Sequence, residues 1–201
     1  MFYYTVNGES EENHTEKKSR FISYLFPIRD EEDFKETLND IKRVHSKANH
    51  CCWAYIWGDK YELERYSDDG EPAGAAGLPI LGQLKSKKLT YCACVVVRYF
   101  GGTKLGKGGM IKAYKEAARK TVKSARLIKK EICLEYCIKC KYTQHNTILQ
   151  LIKRNDIDII LSRIEHDCFF RIKCPIKLVD MLEAKCKELN VDFGQDLLPN
   201  Q

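Results

Sequence analysis

Apolar and polar residues fall along this chain in runs, alternations and stripes that assign most of its elements. Residues 2–6 are a short aromatic run that reads as a strand, and Asn7-Gly8 reads as the turn that closes it. Residues 9–18 are almost wholly polar and read as a mobile approach to the strand expected at 19–28. Asp30 opens a helix whose first turn carries Glu31, Glu32 and Asp33, where negative charge suits the helix dipole. Phe34, Leu38, Ile41 and either Val44 or His45 make its apolar stripe. Residues 51–57 and 61–66 read as a hairpin about Gly58-Asp59-Lys60. The stretch 67–77 is too rich in glycine and acid for regular structure and leads into a short helix at about 78–85. An apolar run at 91–100, a glycine loop at 101–109 and a lysine-rich helix at 108–126 follow.

The periodicity changes near residue 131. A strand at 132–142, a helix at 145–154, strands at 157–165 and 168–173, a helix at 176–189 and a short last strand give the β-α-β-β-α-β order of a ferredoxin-like domain. The expectation is an α+β chain of two domains, 1–130 and 131–201, joined by a short linker.

Charge changes this picture by singling out one segment. Between Lys85 and Lys130 there are 14 Lys or Arg and one acid, Glu116, a net +13, while the whole chain carries +6 and the remainder therefore −7. Local basicity of this kind attracts phosphate and says little about fold. It coincides with the strand, glycine loop and helix of residues 91–126. Glycine-freed amides and unpaired N–H groups at a helix start point the same way in that arrangement, and the helix dipole adds partial positive charge. On the helix, Met110, Tyr114, Ala118, Val122 and Ala125 form a core stripe. Lys112, Lys115, Arg119, Lys123 and Arg126 form a second, basic one.

The candidate anion site is therefore Arg98, Gly101, Gly102, Lys104, Gly106, Lys107, Gly108 and Gly109 with Lys112, Lys115 and Arg119. Tyr99 and Phe100 are placed to stack on bases if exposed. Gly101 to Lys107 also matches G-x-x-x-x-G-K, but Gly108 stands where a nucleotide-binding loop needs Ser or Thr for magnesium, which speaks against an NTPase. Asp68, Asp69 and Glu71, with His50 upstream, read either as a hydrolase site or as an acidic turn that caps backbone amides and pairs with Arg98 or Lys104; the structural role is favoured.

Composition excludes several classes. At 44% apolar and 31% charged residues the chain is ordinary globular protein, and no apolar run approaches the roughly 20 residues of a membrane span. The start, Met1-Phe2-Tyr3-Tyr4, lacks the basic and apolar regions of a signal peptide, so a cytoplasmic protein is expected. Most of the ten cysteines are expected to be small buried residues. Cys137 and Cys140 are three apart in a strand and so face opposite ways, which argues against shared zinc. No catalytic residue, metal or cofactor is assigned.

Ser67-Asp-Asp-Gly-Glu-Pro-Ala-Gly-Ala-Ala-Gly-Leu-Pro79, then Val95-Val-Val-Arg-Tyr-Phe-Gly-Gly-Thr-Lys-Leu-Gly-Lys-Gly-Gly109 and Lys112-Ala-Tyr114, closely resemble the signature of the YigZ/IMPACT family. Ser19-Arg20-Phe21 and Ala48-Asn-His50-x-Cys52-x-Ala54 match its earlier blocks. The resemblance implies an amino-terminal domain like the second domain of ribosomal protein S-five, a βαβ arrangement, and a carboxy-terminal domain like a ferredoxin-like domain of elongation factor G. It also implies a translation-linked role, because eukaryotic members restrain the amino-acid-starvation kinase by competing for its ribosome-bound activator. Lys107 stands where the family motif commonly carries threonine. The expected partner is RNA or the ribosome, with a translation factor as a further one; oligomeric state is left open. Two other readings stand beside it: a hydrolase or phosphotransferase on a small phosphorylated or nucleotide substrate, and a protein-interaction module.

Overall fold

The computed structural model describes residues 1–195, an α+β chain that divides into two compact units, Phe2–Lys130 and the residues from Glu131 onward together with Met1.

In the first unit the elements are β1 (Phe2–Val6), β2 (Ser10–Glu16), β3 (Ser19–Pro27), α1 (Glu31–Val44), β4 (His50–Trp57), β5 (Leu63–Ser67), α2 (Gly77–Ser86), β6 (Cys92–Tyr99), α3 (Gly106–Ser124) and β7 (Leu127–Glu131). Five of the strands form a sheet in the order β2-β3-β6-β4-β5, each pair antiparallel. Strands β3 and β4 both run against β6 and so run with each other, joined across α1: a βαβ unit with a third strand inserted.

The centre of that sheet is covered on both sides, and β6 shows why it reads as an unbroken apolar run. Cys92, Cys94 and Val96 pack with α2 and α3, while Ala93, Val95 and Val97 pack with Phe34, Leu38 and Ile41 of α1. A strand buried on one face alternates; one buried on both does not. Helix α1 starts where its sequence says, with the Asp33 N–H donating 2.8 Å to the Asp30 carboxylate. Of the two alternatives for its last inward position, Val44 is 77% exposed and His45 turns in, between Tyr24 and Tyr99.

Two elements depart from the sequence reading. Residues 10–16 are not a mobile approach but a strand, paired with β3 from Ser10↔Leu25 to Glu16↔Ser19 through a turn in which Lys17 and Lys18 take positive φ of 43° and 67°. An edge strand is held by its backbone ladder, so Ser-Glu-Glu-Asn-His-Thr-Glu can be a strand without the period-two apolar pattern. Strand β7, which pairs with β1, is short and mostly exposed, and its pattern was equally silent.

The second unit comprises β8 (Cys133–Lys141), α4 (His145–Arg154), β9 (Asp158–Ile164), β10 (Asp167–Pro175), α5 (Val179–Glu188) and β11 (Asp192–Gly194). The order β11-β8-β10-β9, antiparallel throughout, is that of a ferredoxin-like domain. Ile138, Ile148, Ile152, Phe170, Ile172 and Leu182 form its core. The helix expected at 176–189 opens as a 3-10 turn, Ile176–Leu178, before α5. Nine of the ten cysteines are buried and all are free. Among the described residues no helix is long and apolar enough to cross a membrane.

Candidate phosphate-binding hollow

The acidic loop between β5 and α2 is built on Asp68. Its carboxylate accepts from the amides of Gly74 and Ala76 at 2.9 Å and of Gly77 at 2.8 Å, closing the open start of α2. Burial works against the charge, but the amides of Gly74, Gly77 and Ala76, helped by Lys107, hold the carboxyl below its ordinary value. Asp69 ties the same loop to β4: its carboxylate accepts from the Cys51 N–H at 2.6 Å and its carbonyl accepts from His50 Nδ1 at 2.8 Å.

Glu71 goes inward. Its Oε1 accepts from Arg98 Nη1 at 2.5 Å and from the Tyr114 hydroxyl at 2.8 Å, and the Glu71 and Arg98 side chains are 3% and 6% exposed. Cys52 Sγ lies 3.4 Å from that hydroxyl and 3.0 Å from the Asp68 carbonyl. Burial first, with Cys52 and Glu71 adding to it, drives the Tyr114 hydroxyl far above its usual range, and burial does the same to the Cys52 thiol. Cys52 is fully buried and its surroundings favour the neutral thiol, so it serves as packing, and the cluster holds one buried ion pair.

Strand parity decides which side chains reach this end of the sheet. Val96 faces α2 and α3, so Arg98 does as well, stacked 5.6 Å from the Phe21 ring centroid and 5.7 Å from that of Phe100. Tyr99 therefore turns to the α1 side, where its hydroxyl lies 2.9 Å from His45 Nδ1, and it is not a base-stacking residue of the same surface. Next to Arg98 opens a hollow of about 400 Å3 lined by Asn49, His50, Arg98, Phe100, Lys104 and Gly106.

The start of α3 lies on this hollow, and among the described residues no side chain caps it. Leu105 occupies the N-cap with no side-chain acceptor, and the first turn has no acid. Gly102 and Gly106 take the left-handed φ of +83° and +69° that the loop needs to reach the helix. Gly101 serves packing instead: a Cβ there would sit 2.0 Å from the carbonyl carbon of Lys18, so the loop closes onto the β2–β3 turn. Buried Arg98 also keeps one donor, Nε, without a partner.

Of the anion set expected from sequence, Arg98, Lys104 and Gly106 meet here, with Lys107 and Gly108 exposed in the first turn of α3 and Gly109 packed near Leu105. Lys112, Lys115 and Arg119 do not line the hollow; they run along the exposed face of α3, and Arg119 is held to Glu116 by bonds of 2.8 and 2.6 Å. The reason is helical geometry, since Lys112 lies roughly 200° around the axis from Met110, whose side chain meets Arg98 at 3.6 Å. Asn49 was missed as a site residue. Its N–H donates to the Arg98 carbonyl at 2.9 Å and its Oδ1 accepts from the Phe100 N–H at 2.8 Å. Its presence in the short Ala48-Asn-His50 block was the one available signal.

Residues 17–122 match the family model described as the Impact N-terminal domain, which spans the hollow and every residue that lines it. The chain is 44% identical over 112 residues to the IMPACT family member YvyE of Bacillus subtilis (strain 168), a match covering 56% of this chain and 52%, about half, of that one. It is 35% identical over 176 residues to the IMPACT family member YigZ of Escherichia coli (strain K12), across 87% of this chain and 86% of that relative. Among solved structures, the crystal structure of a hypothetical protein superimposes with a TM-score of 0.77 at 29% identity, covering 100% of this chain and 98% of that one. The shared domain, the near full-length kinship and the common fold make the conclusion plain: this chain belongs to the IMPACT family, a family linked to translation regulation.

Proposed function

We propose that the protein binds RNA through a phosphate group held in the hollow, in a cytoplasmic, translation-linked role at or near the ribosome. The observation that carries this reading is the meeting of an uncapped helix start with cationic side chains at one opening: the first turn of α3, the ammonium of Lys104, which has no ion-pair partner among the described residues, and the Arg98 guanidinium. A phosphate oxygen supplies the acceptor that the helix start and Lys104 lack. The acids next door favour binding over hydrolysis. Asp68 is engaged by three amides and Glu71 by Arg98 and Tyr114, which leaves them acting as structural anchors.

The test is fluorescence anisotropy of single-stranded RNA across a salt series. Lys104→Glu is expected to weaken binding about tenfold or more and to lower the salt slope by about one or more contacts, whereas Lys112→Glu, on the outer face of α3, changes affinity severalfold at most. Equal losses from the two substitutions, or none from Lys104→Glu, would remove the hollow from the account.

A further inference from the structure

We infer that the hollow is specific for a ribonucleotide, with His50 accepting a hydrogen bond from the ribose 2′-hydroxyl beside the bound phosphate. This rests on the phosphate reading above and adds the sugar to it.

One ring in the hollow has a fixed tautomer. His50 Nδ1 lies 2.8 Å from the Asp69 carbonyl oxygen, and a carbonyl only accepts, so Nδ1 carries a proton. In the neutral ring Nε2 is then an acceptor. Among the described residues no donor bonds to it. Glu71 Oε1 lies 3.9 Å away, and it already receives the Arg98 and Tyr114 donors. His50 is therefore an oriented acceptor with no partner, on a side chain 26% exposed that lines the hollow.

The other polar side chains that line that space are donors: Lys104 is a point cation, Arg98 is a guanidinium, and Asn49 has committed its oxygen to the Phe100 N–H and keeps its NH2 as a donor, while the first turn of α3 begins at the same opening with no side-chain cap. Inorganic phosphate at neutral pH would use the donors and leave the acceptor bare. A ligand that satisfies both carries an anion and, within a few ångströms, a hydroxyl. Phe100, 46% exposed at the same opening and backed by the Arg98 guanidinium, adds a flat apolar surface on which a base stacks. About 400 Å3 is a small-ligand volume, within the roughly 300–1,000 Å3 of such sites. Anion, hydroxyl and flat ring together describe one splayed nucleotide of RNA, and the 2′-hydroxyl is the group that separates RNA from DNA.

The experiment compares three single strands of one sequence, ribo, 2′-deoxyribo and 2′-O-methyl, by anisotropy at one low salt concentration, with the wild-type protein and with His50→Phe. Wild-type protein is expected to bind the ribo strand about threefold to tenfold more tightly than either of the others, because the deoxy strand lacks the hydroxyl and the methylated one lacks its proton. His50→Phe is expected to bring the ribo to deoxyribo ratio close to one. The wild-type arm needs no substitution and so stands whatever His50→Phe does to folding. Equal binding of ribo and deoxyribo strands by the wild type overturns the ribose assignment and leaves the phosphate reading in place. Absence of binding to all three strands overturns both.

Discussion

Two helices of the amino-terminal unit begin within one neighbourhood and end their chain connections in opposite ways. Helix α2 opens onto Asp68, whose carboxylate collects the amides of Gly74, Ala76 and Gly77. Helix α3, 19 residues long and with the stronger summed dipole, opens without a side-chain cap among the described residues, with leucine at the cap and Gly-Lys-Gly-Gly in the first turn. The same pair of regions divides the cations. Arg98 is matched by Glu71 beneath the sheet end, while Lys104 forms no ion pair among the described residues and Lys107 acts on Asp68 only through its charge. What the contrast teaches is where to look for function. A chain able to cap one helix with an aspartate and bury one arginine against a glutamate has the means to close the other site, and the open helix start is where the proposed phosphate would complete the structure.

Removing the buried counter-charge has the largest expected effect. Glu71→Ala leaves the Arg98 guanidinium 95% buried without its partner, since Arg98 is 5% exposed, and the expected loss is about 3–5 kcal/mol, read as a lower midpoint in urea. It also releases an uncompensated positive charge beside the hollow, so whatever protein remains folded should bind phosphate more tightly than wild type. A midpoint unchanged within error would show that the ion pair is not what anchors this end of the sheet.

Opening the closed helix is the next largest effect. Asp68→Ala removes the acceptor for three amides, and about 1–2 kcal/mol of stability should go with it. The pH dependence has a definite sign. The folded carboxyl titrates below its ordinary value of 3.8, so its contribution is present in full above the unfolded value and is lost as pH falls through the folded one. Wild-type protein should therefore lose part of its stability below about pH 4, and Asp68→Asn should flatten that limb of the curve. An acid limb of the same depth in wild type and Asp68→Asn would assign it to other carboxylates.

How far these two regions were legible in sequence follows from what each depends on. The closed site was legible because it is local: Ser67-Asp-Asp-Gly and the glycines after it form one continuous turn, and acids there have few partners except nearby amides. The sheet centre was legible because Cys92 to Val97 is apolar at both parities. The same parity would have placed Arg98 and Tyr99 on opposite faces, yet reading them as neighbours along the chain put both in one surface. Lys112, Lys115 and Arg119 lie away from the hollow for a similar reason, since a basic stripe counts charges in order of sequence while a pocket gathers them by direction, and α3 turns these side chains away from the residues around Gly106. Strand β2 was invisible for a different reason: backbone pairing at a sheet edge leaves no mark on side-chain pattern.

The smallest and sharpest perturbation puts into α3 what α2 already has. Gly108 lies in the first turn of α3, and a Cβ built on it meets no atom within 4 Å, so Gly108→Glu introduces a carboxylate without a clash. Replacing a helical glycine should stabilise by about 0.5–1 kcal/mol, and negative charge in the first turn adds about 0.3–1 kcal/mol. The same carboxylate would satisfy or repel at the position where a phosphate is expected, so affinity for single-stranded RNA should fall about tenfold or more while the melting temperature rises by a few degrees. Opposite signs are the point of this variant. A substitution that merely damaged the fold would lower both quantities, and one irrelevant to the site would raise stability and leave binding alone. Only an amide cluster kept open for an external anion predicts that filling it from within makes the protein more stable and less able to bind.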